Sequence, residues 1–330
     1  MRAIVTEKFG GPDVLVEREV PDPSPGPDEI AIAVEAAGVN FGEIMMRKGH
    51  HPLALQNTIL GNDAAGVVSA VGPEVEGFSI GDRVAASLLG RDGSIRGGGY
   101  AATAIADPSR TVRLPDGVDA AEALGLIIPG VTAWFLLHQI PEIQGRTVLI
   151  HAAAGGTGSQ AVQLAHILGA ARVFGTASNK DKRALVRELG AESIDYGQND
   201  WPTRVRELTG GRGVDAVFDS VAGETAAGSV AALAMGGKVV LYGSNSGSPP
   251  VFTPETWRAI GIGLLSIQGF TNLYNLKRPE LIREVMLKLM DFYVAGRLRV
   301  ELSRFALADA AGAHRALQAR QTRGKIVLVP

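Results

Sequence analysis

HAAAGGTGSQAVQLAHILGA, residues 151–170, follows the strand-like run RTVLI of residues 146–150. Ala153, Gly155 and Gly158 fill a GxGxxG frame with alanine in its first place, and Gly156 adds a fourth small residue. Glycine there lets the backbone approach a pyrophosphate, and the amide N–H groups that open the following helix attract its charge. A glycine turn between strand and helix also serves packing alone, so the frame in isolation is weak. Here it follows a strand, opens a helix and begins a βαβ unit, which is the setting of a dinucleotide site.

The choice of dinucleotide is read from the end of the second strand of that unit. A carboxylate about 20 residues past the glycines binds the ribose 2′-hydroxyl of NAD and repels a 2′-phosphate. In FGTASNKDK, residues 174–182, that place falls near Ala177, followed by Ser178, Asn179, Lys180 and Lys182. A missing carboxylate, a hydroxyl and two lysines favour NADP(H). The other reading is a solvated helix start in which Asp181 offsets one lysine.

Outward from the loop, strands and helices alternate from about residue 120. The strand-like runs include ARVFGTA (171–177), DAVFDSV (215–221) and GKVVLYG (237–243). Helices are expected over 159–168, 180–189 and near 225–233, so the pattern predicts a parallel, doubly wound α/β sheet. The first 110 or so residues are instead short β-branched runs, such as RAIVTE, EIAIAVEAAGV and DRVAAS, with a stiff connector PDPSPGPDE at 21–29. They predict a small, mostly antiparallel β domain. From about residue 266 the tail carries a helix over 279–296 and a closing strand, GKIVLVP.

The chain has 330 residues, enough for two domains, with 46% hydrophobic and 20% charged residues and a net charge of −2. That charge gives no sign of nucleic acid or membrane as a partner. With no cysteine, disulfides, thiolate catalysis and cysteine-ligated metals are excluded. The first residues, MRAIVTEKFG, lack the layout of a signal peptide, and no apolar run reaches the ~20 residues of a bilayer span, so a cytoplasmic location is expected.

Several ordered motifs then carry a resemblance over nearly the full length: GGPDVL (10–15), AAGVNFGEIMMRKG (36–49), GNDAAGVVSAVG (61–72), HAAAGGTG (151–158), FDSVAGET (218–225) and the final RGKIVLVP. The chain resembles the medium-chain dehydrogenase/reductases, and within them the zinc-independent quinone oxidoreductases related to zeta-crystallin. The resemblance implies a GroES-like, β-rich catalytic domain with a Rossmann doubly wound parallel-sheet domain inserted in it. Boundaries are expected at 1–122, 123–264 and 265–330, the last segment completing the catalytic domain.

Zinc alcohol dehydrogenases of this superfamily bind catalytic zinc through a cysteine and a histidine at the places of Asn40 and Asn62, and a neutral amide is a poor zinc ligand. His50 and His51 are adjacent, but sequence neighbours rarely converge on one ion, so no metal is expected. Without a Lewis acid, reversible alcohol oxidation is a poor candidate. Quinones and carbonyl-conjugated alkenes delocalise negative charge themselves, and the protein need only hold the nicotinamide hydride donor against them, exclude water and offer hydrogen bonds.

The resemblance implies a catalytic neighbourhood of Asn40 and Thr132, and His51 is a candidate that departs from it. Asn40 would donate its amide N–H to an acceptor oxygen, its alternative being a turn residue that ends a strand. Thr132, in PGVTAW, would border the nicotinamide, or cap its own helix. His51 replaces a family tyrosine (GHHP here) and would donate a proton, or sit in an exposed loop. Glu43 and Arg47, spaced i,i+4, read as a helix-face ion pair.

For the cofactor, the resemblance carries over Gly155, Gly156, Thr157 and Gly158 at the pyrophosphate. It carries Thr176, Ser178, Lys182 and Tyr196 on the 2′-phosphate and adenosine side, and Ser220, Gly243, Ser244, Leu265 and Ser266 at the ribose and carboxamide. Arg320 would reach the cofactor from the β domain, or end a helix in solvent. The resemblance also implies that the apolar strand GIGLLSIQGF (261–270) sits at the sheet edge and pairs in a homodimer; an exposed apolar edge is otherwise a liability. Two rival functions remain: an enoyl-thioester reductase acting on CoA- or carrier-bound substrates, and a nonenzymatic, crystallin-like NADPH-binding protein.

Overall fold

The computed structural model describes residues 1–90, 92, 94 and 96–330. They form two compact units, Met1–Val131 with Leu273–Pro330, and Thr132–Asn272.

The first unit starts with β1 (Arg2–Thr6), β2 (Leu15–Glu19), β3 (Ile30–Val39), α1 (Phe41–Arg47), β4 (Thr58–Ile59), β5 (Asp63–Val71), β6 (Arg83–Ser87), β7 (Thr103–Ala106) and β8 (Thr111–Arg113). An apolar helical run follows, α2 (Ala120–Gly125), a π turn (Leu126–Gly130) and α3 (Val131–Leu137), the last of which belongs to the second unit from Thr132 on. Pro129 has no N–H to give a helix, and the ladder widens to a π turn around it. The 18 residues Ala120–Leu137 have a mean hydropathy of 1.7, enough in length and composition to cross a membrane, but 72% of that stretch is buried within the protein.

The second unit holds β9 (Thr147–Ile150), α4 (Gly156–Ile167), β10 (Arg172–Thr176), α5 (Lys180–Glu188), β11 (Glu192–Ile194), α6 (Trp201–Leu208), β12 (Val214–Asp219), α7 (Thr225–Ala231), β13 (Leu233–Leu241), α8 (Pro254–Ile262) and β14 (Ser266–Gly269). The chain then returns to the first unit through α9 (Pro279–Val294), β15 (Leu302–Ala306), α10 (Ala310–Gln318) and β16 (Lys325–Val329).

In the second unit the sheet order is β11-β10-β9-β12-β13-β14, and every pair is parallel. This is the doubly wound order, whose direction reverses between β9 and β12, and ligands bind beyond the carboxyl ends of the strands at such a reversal. All four residues of β9 are buried, as a central parallel strand covered on both faces requires. Leu149, Phe174, Val217, Val230 and Val239 form its core with Trp201 and Val205.

In the first unit β16 pairs antiparallel with β3, so the last strand of the chain completes a sheet of order β15-β16-β3-β5-β6-β8, with β7 also on β3. Ile30, Ile32, Val84, Tyr100, Ala104 and Leu328 are in its core.

Three sequence-based boundaries move. A division after residue 122 falls inside α2, and one after residue 264 leaves β14 out of a sheet to which it hydrogen-bonds through β13. Residues 261–270 are not one strand: Gly261 and Ile262 end α8, Leu264 turns the chain at φ +53, and the strand begins only at Ser266.

Candidate functional site

The glycine loop leaves the carboxyl end of β9 through Ala152, held at φ +51, and Gly155 N–H donates back to the Ala152 carbonyl at 2.9 Å. Gly155 caps α4, which opens at Gly156 rather than Ser159, so the Gly156, Thr157 and Gly158 amides form the helix's first turn, whose N–H groups have no intrahelical acceptor. Gly155, Gly156 and Thr157 are half-buried and Gly158 is buried.

The glycines do different things. A Cβ on Gly158 would run into the Ala152 carbonyl oxygen and stand 2.8 Å from Ala153 Cα, so this position serves close packing of loop on helix. A Cβ on Gly155 would meet only the Ala152 oxygen, at 3.2 Å, so its lack of a side chain keeps space open in front of the loop. Ala153, in the frame's first place, is fully buried, and opposite it a Cβ on Gly175 would stand 2.8 Å from the Ala153 methyl. Alanine is tolerated in the frame because β10 supplies the missing glycine. A cradle that a Cβ would fill, an outward helix N-terminus and the reversal of strand order together fit a dinucleotide pyrophosphate.

At the end of β10, Ala177 is buried and Ser178 exposed, and Asn179 caps α5 by accepting the Lys182 N–H at 2.9 Å. Lys182 and Tyr196 are half-buried. The Ser178 and Lys182 backbones thus stand at the place where a NAD site carries its carboxylate.

Thr176 differs from its expected role. It is fully buried, and its hydroxyl lies 2.9 Å from His151 Nδ1, so its side chain is engaged inside the protein. Ser220 and Gly243 end adjacent strands whose turns are zipped together by Asn245 N–H to Ser220 O and Ser246 N–H to Val221 O, both 2.9 Å.

Leu265 and Ser266 are at the wrong end of the sheet for cofactor contact. Ser266 is in register with Lys238, Ala216 and Val148, far from the strand ends, whereas Gly269 aligns with Leu241 and Asp219. Phe270, whose N–H donates to Leu241 O at 2.8 Å, holds the carboxyl-end place instead. The reason is the longer α8, which delays the strand by several residues.

Thr132 does not cap its helix; its hydroxyl accepts Asn272 Nδ2–H at 2.7 Å. Asn272 lies 140 positions away, and nothing in the sequence links the two.

In the first unit Asn40 lies at the start of α1 amid buried charge. Lys325 Nζ donates to Asn40 Oδ1 at 2.6 Å and pairs with Asp63 Oδ2 at 2.9 Å. Asn40 Nδ2 donates to Asp63 Oδ1 at 2.8 Å and to Glu43 Oε1 at 3.2 Å, which commits both amide hydrogens inside the protein. Glu43 also accepts the backbone N–H groups of Asn40 and Asn62, each at 3.0 Å. Burial, and then the neighbouring Asp63 charge, push its carboxyl up from 4.5 to about 7, against the pull of Lys325.

Glu43 and Arg47 do not form a helix-face ion pair: both are fully buried, and Arg47 Nη2 donates to Gln318 Oε1 at 2.7 Å. The i,i+4 spacing places them on one face of α1, and that face is inward. Beside Arg47, Tyr100 hydroxyl and His314 Nε2 are 3.0 Å apart, and burial followed by the Arg47 charge lowers His314 from 6.5 to about 3.

Asp63 and Lys325 went unnoticed in the sequence. The one signal was a lysine heading the otherwise apolar strand KIVLV.

His51 is half-buried, its Nδ1 accepts the Leu53 N–H at 3.1 Å, and burial lowers its pKa. With Nδ1 accepting, the ring N–H is on Nε2. Arg320 closes α10 in a left-handed turn at φ +56 and is exposed, while its neighbours Arg315 and Arg323 face Asp13 and Glu301.

Two family models match the chain, a zinc-binding dehydrogenase model over residues 156–291 and an alcohol dehydrogenase GroES-like domain over 26–116. A quinone oxidoreductase of Pseudomonas aeruginosa is 38% identical over 98% of this chain and 97% of its own. A 2-haloacrylate reductase of a Burkholderia species is 37% identical over 99% and 98%. The crystal structure of Escherichia coli quinone oxidoreductase complexed with NADPH superposes with a TM-score of 0.90 at 30% identity, covering both chains completely.

Proposed function

The chain belongs to the quinone oxidoreductases of the medium-chain dehydrogenase/reductase superfamily, and from that premise we propose that it is an NADPH-dependent reductase of quinones or carbonyl-conjugated alkenes. When bound, NADPH supplies the hydride, and with one proton from water a quinone becomes a hydroquinone. The observation that carries the reading is the cradle at the carboxyl end of β9, open over Gly155 and followed by the Gly156–Gly158 amides, with no carboxylate at the end of β10.

The chain's own residues then divide the work. The first turn of α4 holds the pyrophosphate, and Ser178 and Lys182 hold the 2′-phosphate. Asn272 fixes the rotamer of Thr132 beside the reacting ring. Asn40 is a positioning residue: with its amide hydrogens spent on Glu43 and Asp63, it holds a buried ammonium and two carboxyl groups together rather than donating to the acceptor. His51 offers Nε2–H as a hydrogen-bond donor, and burial disfavours the imidazolium that a proton donor would have to be.

We read the reaction as metal-free, because the Asn40 side chain bonds to Lys325, Glu43 and Asp63, and Asn40 and Asn62 are neutral amides where a tetrahedral zinc site needs thiolate, imidazole or carboxylate ligands. The homodimer reading rests on the open edge at β14, next to which Met235, Ile262 and Leu264 are 78%, 72% and 72% exposed.

The test is the rate of NADPH and of NADH oxidation with an ortho-quinone, a simple enone and an enoyl-CoA as acceptors. NADPH oxidation with quinone or enone is expected, and Lys182→Ala should lose about tenfold of the preference for NADPH over NADH, the worth of one charge-assisted contact. Reduction of the enoyl-CoA alone would make it a thioester reductase. Tight NADPH binding without turnover would make it a binding protein.

A further inference from the structure

His151 is fully buried at the start of the glycine loop, and the reaction makes no use of it. Its Nδ1 lies 2.9 Å from Thr176 Oγ1 at the end of β10, and its Nε2 lies 3.0 Å from Ser229 Oγ on α7. Ser229 Oγ donates in turn to Asp219 Oδ2 at 2.9 Å, at the end of β12. The other oxygen of Asp219 accepts Val221 and Ala222 N–H at 2.7 and 3.0 Å, holding a turn in which Ala222 sits at φ +57. The Trp201 ring stands edge-on to the imidazole at 5.1 Å.

One arrangement of hydrogens satisfies every member. Ser229 has a single hydroxyl hydrogen and two acceptors in reach, Asp219 Oδ2 at 2.9 Å and the Thr225 carbonyl of its own helix at 3.1 Å; given to the nearer, charged Asp219, it leaves the Ser229 oxygen to accept from His151 Nε2–H. Nδ1 is then bare and accepts the Thr176 hydroxyl hydrogen. The bonds run in one direction, Thr176 to His151 to Ser229 to Asp219, and they end on a carboxylate. Burial favours the neutral imidazole that this order requires.

The three turns so joined follow β9, β10 and β12, and these turns carry Gly155, Ser178 and Ser220. We propose that His151 is a positioning residue which locks the turns after β9, β10 and β12 into the single arrangement that binds the dinucleotide. The proposal rests on the reading of this cradle as the NADPH site. A buried chain of hydrogen bonds has few alternative geometries, because each unmade bond would leave a buried polar group without a partner.

The experiment is direct titration of NADPH fluorescence with wild type, His151→Leu, His151→Gln, Thr176→Val and Ser229→Ala, with a thermal melt of each to fix the folded fraction. Leucine at 151 should weaken binding by the folded protein about tenfold, the worth of one buried hydrogen bond. Glutamine, which keeps a donor near Nε2, should recover much of the loss, a rescue that mere space-filling would not give. Adding Ser229→Ala to His151→Leu should cost little more, since the chain is already broken.

Thr176→Val and Ser229→Ala remove hydrogen bonds with little change in shape. If both bind NADPH within twofold of wild type, the proposal is overturned, whether or not His151→Leu folds. If wild type itself does not bind NADPH, the cofactor reading fails first, and that result is distinct from a wild type that binds while its variants bind equally well.

Discussion

Glu43 and His314 are buried in the same unit and respond to pH in opposite directions. Glu43 is raised to about 7 when folded, so its contribution to stability is fully present below 4.5 and is lost as pH rises through about 7. His314 is lowered to about 3, so its contribution is present above 6.5 and is lost as pH falls towards 3. Between 4.5 and 6.5 the two slopes cancel. Glu43→Gln removes one of them and keeps the side-chain shape. Stability should then rise with pH between 5 and 6.5 more steeply than in wild type, by about 1.4 kcal/mol per pH unit. Urea unfolding at three pH values in that range measures it; an unchanged slope would mean that Glu43 is ionised in the folded protein throughout. Neither side chain announced this in the sequence. The i,i+4 spacing of Glu43 and Arg47 is the spacing of a surface ion pair, and only the docking of α1 against Asp63, Lys325 and Gln318 turns that face inward.

At the level of elements, the glycine loop separates two kinds of glycine that a motif treats alike. Gly158→Ala puts a methyl against backbone atoms of Ala152 and Ala153 that have no rotamer to give, so the loop itself must shift. It should lower stability by about 1–3 kcal/mol and weaken NADPH by tenfold or more. Gly155→Ala adopts its φ of −86 without strain and meets one atom at 3.2 Å, so stability should stay near wild type while NADPH still weakens, because the methyl fills the cradle. Unfolding midpoints together with NADPH titrations distinguish the two variants; equal loss of stability in both would refute the assignment. The loop was legible because strand, glycine frame and helix are contiguous and their chemistry is local. β14 was not. Apolar residues 261–270 satisfy a strand pattern throughout, and helix propagation from the Thr253 cap to Ile262 outweighed it, moving the strand and with it the residue that reaches the carboxyl end of the sheet. The pairs Thr132–Asn272 and His151–Ser229 span 140 and 78 positions, and no local pattern encodes them.

The molecule as a whole is organised by a return of the chain: β16 enters the sheet begun by β3, so the first unit cannot close without β16. The alternation of strands and helices disclosed the inserted unit, and the resemblance disclosed the return, which no periodicity shows. The parallel sheet, by contrast, is left with β14 unpaired on its outer side. Just before that edge Ile262 and Leu264 are each 72% exposed, an apolar strip of the kind that a monomer rarely leaves in water. A stable pairing of two such edges has to bury roughly 1,000 Å² or more, and one strand pair with its flanking helices is of that order. Leu264→Asp, at a turn outside both α8 and β14, places a carboxylate on this strip without altering either unit's core. Light scattering should give twice the chain mass for wild type and the single-chain mass for the variant, with NADPH binding retained because the cradle lies at the far end of β9. A wild type of single-chain mass would leave the strip without a second copy to cover it and would reject the dimer.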